Sequence, residues 1–477
     1  RLFSGRAGVG CPQPRRSLGA ARPREPPRTM PRCRHAPPRR SAAPIRLACC
    51  AAACAALHWS LGQGPAWLAP AARWLVGSHP QRGVGTSAAA AAERGRLVAL
   101  AARGGADPVA EARAKVQALT VEAGYSGPAY NGPASVNDAF VKGLLAMFKE
   151  QKKLPMKYAY MMTLDVLDIL KGEKTLQRVP VPDGSKITVI GDIHGQLFDF
   201  AHMMENVCGF PSPQNPLLFN GDFVDRGPWS VEVLLTLFAM KLQHPTSVHF
   251  NRGNHESEMT NYQYGFSGEV QVKYELKMME LFSEVFRHLP LATVLENQIF
   301  VVHAGIPGPD PRQWEDWFSK APDEAAGILS REGGQMTLAQ IEATDRVVEP
   351  NPFESPLVID FLWGDPKGAN GYGPSGRVPM VYTFGPDIAQ KFCEANGLKL
   401  ILRSHETKSA GFQETQPFCH TVFSAPNYID KAGNKAAVAV VTNTGGVLKP
   451  DYKQFDHQPH PDVPSGAYAP NGPLAPK

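Results

Sequence analysis

The chain has 477 residues, 43% of them hydrophobic, and a net charge of +5, which is a size and composition suited to a folded core. Residues 1–92 contain 14 Arg and a single acidic residue, Glu25, for a net charge of +13, so the rest of the chain carries −8. The basic balance therefore belongs to the leading segment, and we expect no nucleic-acid partner for the folded part.

The leading segment, residues 1–92, is rich in Ala, Arg, Pro and Gly and cannot bury enough apolar surface to fold alone. Its apolar stretch at residues 47–57 has the layout of a signal peptide and is too short to cross a bilayer, so we expect no transmembrane span. Arg73 and Arg82, without a nearby acidic residue, are typical of a transit peptide. Two interpretations stay open, a targeting segment or translated non-coding sequence, and the compartment stays open with them.

Cysteine usage gives a second compositional signal. Five of the eight Cys lie in the leading segment, and Cys208, Cys393 and Cys419 remain for the body. An odd, widely spaced set predicts neither a disulfide framework nor a cysteine metal site, and it favours a reducing compartment.

Residues 93–135 are predicted to be a linker with one helix at 107–118, in which Asp107 is the cap and Pro108 the first helical residue. Gly and Pro residues then interrupt the chain. Helical periodicity resumes at Val136 and ends at Pro155, and a second helix is predicted from residue 156 to 170.

Short apolar runs alternate with predicted helices from residue 187 onward, which is the pattern of a layered α/β domain. Strands are predicted at 187–190, 217–219 and 248–250. Helices are predicted at 230–242 and 269–286. Each of the three strands leads directly into a polar block that contains glycine.

The polar blocks read Gly-Asp-Ile-His-Gly-Gln at 191–196, Gly-Asp-Phe-Val-Asp-Arg-Gly at 221–227 and Arg-Gly-Asn-His-Glu at 252–256. Two further strands, at 299–302 and 400–404, are each followed by a histidine. Because open α/β sheets carry their ligand sites at the carboxyl ends of strands, these side chains are expected to meet. Carboxylate, amide and imidazole groups suit divalent ions. The candidate ligands are Asp192, His194, Asp222, Asn254, His303 and His405.

These blocks resemble the phosphoprotein phosphatase family of serine/threonine phosphatases, within the metallophosphoesterases. The resemblance covers about residues 136–471, leaves 472–477 as a tail, and is closest to the type-five branch at 151–154, 219–227 and 459–463. It implies an α/β fold, namely a metallophosphoesterase β-sandwich flanked by helices with a dinuclear metal site at strand ends. The implied activity is hydrolysis of phosphoserine and phosphothreonine in phosphoprotein substrates.

The resemblance also implies two divalent metal ions, for which Mn, Fe and Zn are all suitable. Asp192 and His194 hold the first ion, and Asp222 bridges both. The second ion is held by the other three candidate ligands. In the family, a hydroxide that bridges the ions attacks phosphorus directly.

Catalytic roles follow for residues beside the ligands. His255 is the candidate general acid, oriented by Asp225, and Arg226 is the first candidate phosphate clamp. Arg377 is the second clamp, although it stands one residue further from the Phe-Gly pair of the family pattern. Tyr428 is expected near the phosphate.

Type-five phosphatases usually carry tetratricopeptide repeats that serve autoinhibition and chaperone binding. Residues 93–135 cannot hold even two units of about 34 residues. We therefore expect a chain without these repeats and without support for chaperone binding through them.

Two alternatives remain: a dinucleoside polyphosphate hydrolase, which is similar in its Gly-Asp-Ile-His-Gly and His-Ala-Gly blocks, and a scaffold without turnover. The type-five stretches and the loop at 424–428 argue against the first, and the complete ligand set argues against the second. Residues 306–356 are predicted to be a surface region with short helices around Trp314 and Leu338. The chain from Asp451 onward is expected to lie on the surface or to be disordered.

Overall fold

The computed structural model describes residues 107–308, 335–352, 354–378 and 380–476. The predictions for the leading segment, residues 1–92, for linker residues 93–106 and for a helix around Trp314 lie outside the described residues. Within the described part, helices surround two central β-sheets.

The helices are α1 (Pro108–Ala118), α2 (Asp138–Lys149), α3 (Met156–Lys171), α4 (Leu197–His202), α5 (Ser230–Gln243), α6 (Glu258–Tyr264), α7 (Phe266–Lys273), α8 (Leu276–Arg287), α9 (Leu338–Glu342), α10 (Pro356–Trp363) and α11 (Pro386–Asn396). The strands are β1 (Leu176–Val179), β2 (Lys186–Ile190), β3 (Leu217–Phe219), β4 (Val248–Phe250), β5 (Ala292–Leu295), β6 (Ile299–Val302), β7 (Tyr372–Pro374), β8 (Tyr382–Phe384), β9 (Leu400–Arg403), β10 (Phe412–Gln416), β11 (Cys419–Val422), β12 (Ala436–Thr444) and β13 (Val447–Phe455). Short turns are 3₁₀-helical at Pro133–Ser135 and Tyr428–Asp430 and π-helical at Met203–Val207.

One sheet has six strands in the order β1-β5-β6-β9-β11-β10, and the other has five in the order β13-β12-β2-β3-β4. Strands β2, β3 and β4 are parallel and aligned, so that Ile190, Phe219 and Phe250 end side by side. Strands β6 and β9 are parallel in the other sheet. The strand ends that precede the predicted ligands therefore lie together in each sheet.

The two sheets pack face to face through aliphatic side chains. Ile187, Val189 and Leu218 of the five-stranded sheet share one buried cluster with Val301 and Leu402 of the six-stranded sheet. Branched aliphatic residues at alternate positions of a strand are suited to such a face. The predicted sandwich is confirmed.

Helices cover both outer faces of the sandwich. Phe219 and Phe250 pack outward with Leu234 of α5 in the largest buried cluster. On the opposite side, the ring of Phe300 lies 5.1 Å from that of Phe392 in α11. The predicted flanking helices are thus present on both sides of the sandwich.

Helix predictions succeed where the periodicity is unbroken. Helix α3 and helix α5 match the predicted ranges to within one residue. The predicted helix at 269–286 is instead two helices, because Tyr274 leaves the helical conformation at φ −132° and ψ −99°. The chain from Asp451 onward lies mostly on the surface, which is one of the two predicted alternatives, and its first residues are ordered, because Asp451 pairs with Val440 inside β13.

Part of the predicted linker packs against the body. Asp107 caps α1 by accepting a hydrogen bond of 2.9 Å from the amide of Val109. Val109 and Tyr130 are buried in the same cluster as α2, and the hydroxyl of Tyr130 donates to Asp165 at 2.5 Å. The domain boundary at residue 136 stays a prediction.

Two expectations concern cysteine and membranes. Cys208, Cys393 and Cys419 are buried free thiols. Within the described part of the chain, no helix combines the length and the apolar character that a membrane crossing requires.

A buried amide pair joins the sheets near their ligand-bearing ends. The side-chain nitrogen of Asn251 donates to Oδ1 of Asn220 at 2.8 Å and to the carbonyl of Val301 at 3.2 Å. Oδ1 of Asn251 accepts from Thr293 at 2.8 Å, and Asn220 donates to the carbonyl of Val302 at 2.8 Å. Since Asn220 and Asn251 follow strands of one sheet and the valines belong to the other, these bonds fix the sheets against each other.

We expect Asn251→Ala to lower the free energy of unfolding by about 2 kcal/mol or more, because it leaves buried partners unsatisfied at a cost of about 1–3 kcal/mol each. Urea unfolding measures the change. Asn206→Ala, the same substitution at an exposed position, is the control and should change the free energy by less than about 0.5 kcal/mol. Equal effects of the two substitutions would contradict a role for the amide pair.

Candidate metal and phosphate site

The first group of predicted ligands lies at the ends of β2 and β3. Nε2 of His194 is 3.4 Å from Oδ2 of Asp222 and 3.7 Å from Oδ2 of Asp192. All three side chains are buried. The backbone amide of His405 donates to Asp192 at 3.1 Å, which ties the end of β9 to this group.

The second group surrounds the amide of Asn254, after β4. The amide atom of Asn254 that faces the centre lies 2.9 Å from Nε2 of His303, 3.2 Å from both carboxylate oxygens of Asp222 and 3.3 Å from Nε2 of His405. With the amide oxygen in that position, acceptor atoms converge on one point. Such convergence is unfavourable in a buried site unless a cation lies among the acceptors. The residues therefore fit a metal ion.

Backbone carbonyls orient two of the histidine rings. Nδ1 of His194 is 3.0 Å from the carbonyl oxygen of Val224, and Nδ1 of His303 is 2.8 Å from that of Asn220. With Nδ1 as the donor, Nε2 of each ring is a free acceptor that points toward Asp222. This is the orientation that metal-binding histidines require.

The third histidine is oriented by Asp365, a residue that sequence reasoning left without a role. Its carboxylate lies 3.1 Å from Nδ1 of His405, 2.6 Å from Nη2 of Arg403 and 3.1 Å from Nη1 of Arg377. Burial opposes ionisation, but His405 and the two arginines hold the pKa of Asp365 well below its usual range. A single acidic residue gives no sequence signal of partners so distant along the chain.

The charges in the site favour a cation as well. Burial, together with the neighbouring Asp222, raises the pKa of Asp192 to about 7. Burial opposes protonation of His303, but Asp222 outweighs it and raises that pKa to about 9. A divalent ion would reverse both shifts, since it stabilises the ionised carboxylate and the neutral imidazole.

A histidine and aspartate pair lies beside the ligands. Nδ1 of His255 is 2.8 Å from Oδ2 of Asp225, and the same carboxylate accepts from Nδ2 of Asn261 at 3.0 Å and from the amide of Phe266 at 2.8 Å. Burial lowers the pKa of His255, but Asp222 and Asp225 raise it further than burial lowers it. Nε2 of His255 is left 4.0 Å from Asp222. The pair can therefore hold and deliver a proton at Nε2.

The arginine after this aspartate is partly buried. The guanidinium of Arg226 stacks on the ring of Tyr264 at 3.7 Å. Its Nε is buried and has no hydrogen-bond partner within the described residues. The ring of Tyr428 lies 5.0 Å from that of His194, and Arg226 acts to lower the pKa of Tyr428, which burial raises. A cationic group with unused donors thus adjoins the ligands.

Arg377 reaches the same site despite its offset in sequence. Its Nη1 donates to the carbonyl of His405 at 3.2 Å, and its side chain is 47% exposed. The structure therefore brings all of the predicted site residues together, with Arg377 at the rim. Their individual roles stay predictions.

Glu256 is a second residue that sequence reasoning left without a role. Its carboxylate accepts from the amides of Asp222 at 2.7 Å, Phe223 at 2.8 Å and Gly253 at 2.9 Å. A Cβ at Gly253 would collide with the backbone nitrogen of Asp222, so only glycine permits this approach. Glu256 therefore joins the loop that carries Asp222 to the loop that carries Asn254.

We expect Glu256→Gln to reduce the amount of bound metal and to cost about 1–3 kcal/mol of stability, because an NH₂ group would then face backbone N–H donors. Mass spectrometry of the native protein measures the metal, and urea unfolding measures the stability. Glu258→Gln, at a side chain that is 58% exposed, is the matched control. An undiminished metal content in Glu256→Gln would refute this role.

An α/β sandwich with carboxylate and histidine groups at its strand ends defines a metallophosphoesterase. Residues 185–409 match the family model described as Calcineurin-like phosphoesterase. The chain is 41% identical to serine/threonine-protein phosphatase 5 of Homo sapiens over 74% of this chain and 65% of that protein. It is 38% identical to serine/threonine-protein phosphatase T of Aspergillus oryzae over 75% of this chain and 68% of that protein.

A solved structure gives the same result. The protein serine/threonine phosphatase from Saccharomyces cerevisiae with similarity to human phosphatase PP5 superposes with a TM-score of 0.61 and 34% identity, over 70% of this chain and all of that one. The chain therefore belongs to the serine/threonine-protein phosphatase family, in the group of phosphatases 5 and T. The chain is also 40% identical to serine/threonine-protein phosphatase T of Schizosaccharomyces pombe, over 71% of this chain and 66% of that protein. It therefore spans only about two thirds of the length of these relatives, and less than two thirds of the human one.

The expectation of a chain without the repeats is wrong. Residues 99–178 match the family model described as PPP5 TPR repeat region. Helices α2 and α3, which were predicted to belong to the catalytic body, lie within this match, so the matched region extends well beyond residue 136. The expectation that chaperone binding through these repeats lacks support is therefore wrong as well.

Proposed function

We propose that this protein is a metal-dependent enzyme that hydrolyses phosphoserine and phosphothreonine in proteins. The observation that carries the proposal is the convergence of buried acceptors around Asp222 and Asn254, next to the His255 and Asp225 pair. A cation site, a proton donor and arginine side chains in one place are the groups that phosphate-ester hydrolysis requires.

Two divalent ions, Mn, Fe or Zn, fit the proposed ligands. Asp192, His194 and Asp222 would hold the first ion, and Asp222 would also hold the second with the group around Asn254. When bound, the ions supply Lewis acidity and activate a water molecule for hydrolysis.

His255 delivers a proton to the leaving serine or threonine oxygen. Asp225 accepts from Nδ1, which fixes the ring and places the transferable proton on Nε2. The three further contacts of Asp225 and His255 with Asn261 and Phe266 keep the pair from rotating. Delivery of the proton matters most when the leaving alkoxide is strongly basic.

Arginine side chains bind the phosphate oxygens. Arg226 is held flat by Tyr264 and keeps unused donors, so it suits two phosphate oxygens at once. Arg377 approaches from the rim, anchored by Asp365. Tyr428 lies over His194 and limits the access of water on that side.

Metal-loaded protein is expected to release phosphate from a phosphoserine peptide and to leave a dinucleoside tetraphosphate intact. Asp222→Asn should abolish turnover and reduce bound metal, because Asp222 faces both ligand groups. Phosphate release and metal content are measured on the same samples. Cleavage of the dinucleotide in preference to the peptide would overturn the proposed substrate class.

His255→Ala should lower kcat for a phosphoserine peptide by on the order of 10²-fold, because the alkoxide then leaves without a proton. The loss should shrink for an aryl phosphate whose leaving group needs no proton, and metal content should be unchanged. The two esters serve as each other's control. Equal losses for both would reject His255 as the proton donor.

A further inference from the structure

The chain beyond β13 forms a segment that contacts the loop of Arg226 beside the candidate site. We call residues 463–474 the carboxyl-terminal strap. Val463 packs against the largest buried cluster, and Ala467 is 1% exposed. The amide of Leu474 donates back to the carbonyl of Ala467 at 2.8 Å, which closes the strap on itself.

Two donors of the strap form hydrogen bonds to one backbone oxygen of the loop that contains Arg226. The amide of Gly466 donates to the carbonyl oxygen of Arg226 at 2.7 Å, and the hydroxyl of Ser465 donates to the same oxygen at 2.9 Å. A carbonyl oxygen has two lone pairs, and the strap uses both. The contact is directed at the backbone of the residue whose guanidinium adjoins the ligands.

That backbone needs external support. Asp225 and Arg226 are consecutive residues with left-handed φ values of 69° and 70°. Such conformations are strained in residues other than glycine and persist only when their surroundings hold them. The amide of Arg226 donates to the carbonyl of Tyr264 at 3.2 Å on one side, and the strap holds the carbonyl on the other.

Two glycines give independent evidence that the strap docks at a built surface. Gly268 lies inside α7, where glycine is less favourable than alanine. A Cβ at Gly268 would collide with the carbonyl oxygen of Tyr468, and one at Gly265 would lie 3.0 Å from the amide nitrogen of Ala469. Gly265 directly follows Tyr264, the ring on which Arg226 stacks.

The strap thus contacts both supports of the arginine, its backbone and the helix junction next to its stacking partner. We propose that Ser465 and Gly466 are positioning residues that hold Arg226 in the orientation for binding the phosphate of the substrate. This inference rests on the proposed function for its effect on turnover. The side-chain direction of a residue follows its backbone dihedrals, so a loosened carbonyl reorients the guanidinium.

Steady-state kinetics with a phosphoserine peptide test the inference. Ser465→Ala removes one of two bonds and should lower kcat/KM by about 2–10-fold, the range expected for one hydrogen bond. Ser465→Thr keeps the hydroxyl and should restore most of the loss. Ser185→Ala, the same substitution in the turn before β2, is the matched control and should leave kcat/KM unchanged.

A double-mutant cycle separates positioning from general stability. In the Arg226→Ala background, Ser465→Ala should have no further effect, because the side chain that it positions is gone. An equal loss of kcat/KM in both backgrounds would overturn the inference.

Hydrogen–deuterium exchange of the loop that contains Arg226 gives a readout without turnover. Exchange there should increase in Ser465→Ala and in Gly268→Ala, which displaces the strap without altering its donors. Suppose that the wild type hydrolyses the phosphopeptide, that exchange of this loop is unchanged in Ser465→Ala, and that the losses of kcat/KM from Ser465→Ala and Arg226→Ala are additive. These results would reject the positioning role of the strap and leave the proposed function standing. If the metal-loaded wild type hydrolyses no phosphopeptide, but exchange of this loop still increases in the two variants, the proposed function is rejected and the contact between the strap and the loop stands.

Discussion

The mutual repulsion of buried acceptor atoms around Asp222 is the constraint on which the rest of the structure depends. Nitrogen and oxygen atoms from both sheets are held within 2.9–3.3 Å of the Asn254 amide. Without rigid support they would separate, because an unpaired buried acceptor is costly. The aliphatic layer between the sheets and the Asn220 and Asn251 pair supply that support from below, and Glu256 supplies it from the side. The sandwich can therefore be understood as a frame that keeps this group of atoms together until a cation neutralises it.

The same constraint explains part of the backbone strain in the described residues. Left-handed residues other than glycine occur at the turns that carry the proposed ligands and the proposed phosphate-binding arginine, namely His194, Asp222, Asp225, Arg226 and His405. The backbone turns sharply after each strand, so that the side chain of the residue at the turn points to the shared centre. These strained conformations lie in the candidate site, and neighbouring contacts maintain them, such as the hydrogen bond from the amide of His405 to Asp192.

Much of the site could be predicted from sequence because its signals are local. A buried strand that ends at a polar residue identified His303 and His405 as well as the three main blocks. Asp365 and Glu256 were missed because their partners are set by the fold and not by spacing. Tyr274 broke a helix that periodicity predicted to be continuous, since a single residue with non-helical dihedrals leaves the hydrophobic pattern intact. The repeat region was missed because its helices also pack into the body, so their apolar faces resembled those of core helices.

The strap has a consequence for the order in which the molecule forms. Ser465 is separated by 239 residues from the carbonyl that it holds. Contacts of such long range form only after the intervening chain is ordered, because closing the loop earlier costs entropy without compensating contacts. Both sheets and helix α7 must therefore be in place before the strap has a surface to meet. The loop of Arg226 is then the last part of the candidate site to become rigid, and, by the same reasoning, it is the first to loosen when the chain opens locally from its carboxyl-terminal side.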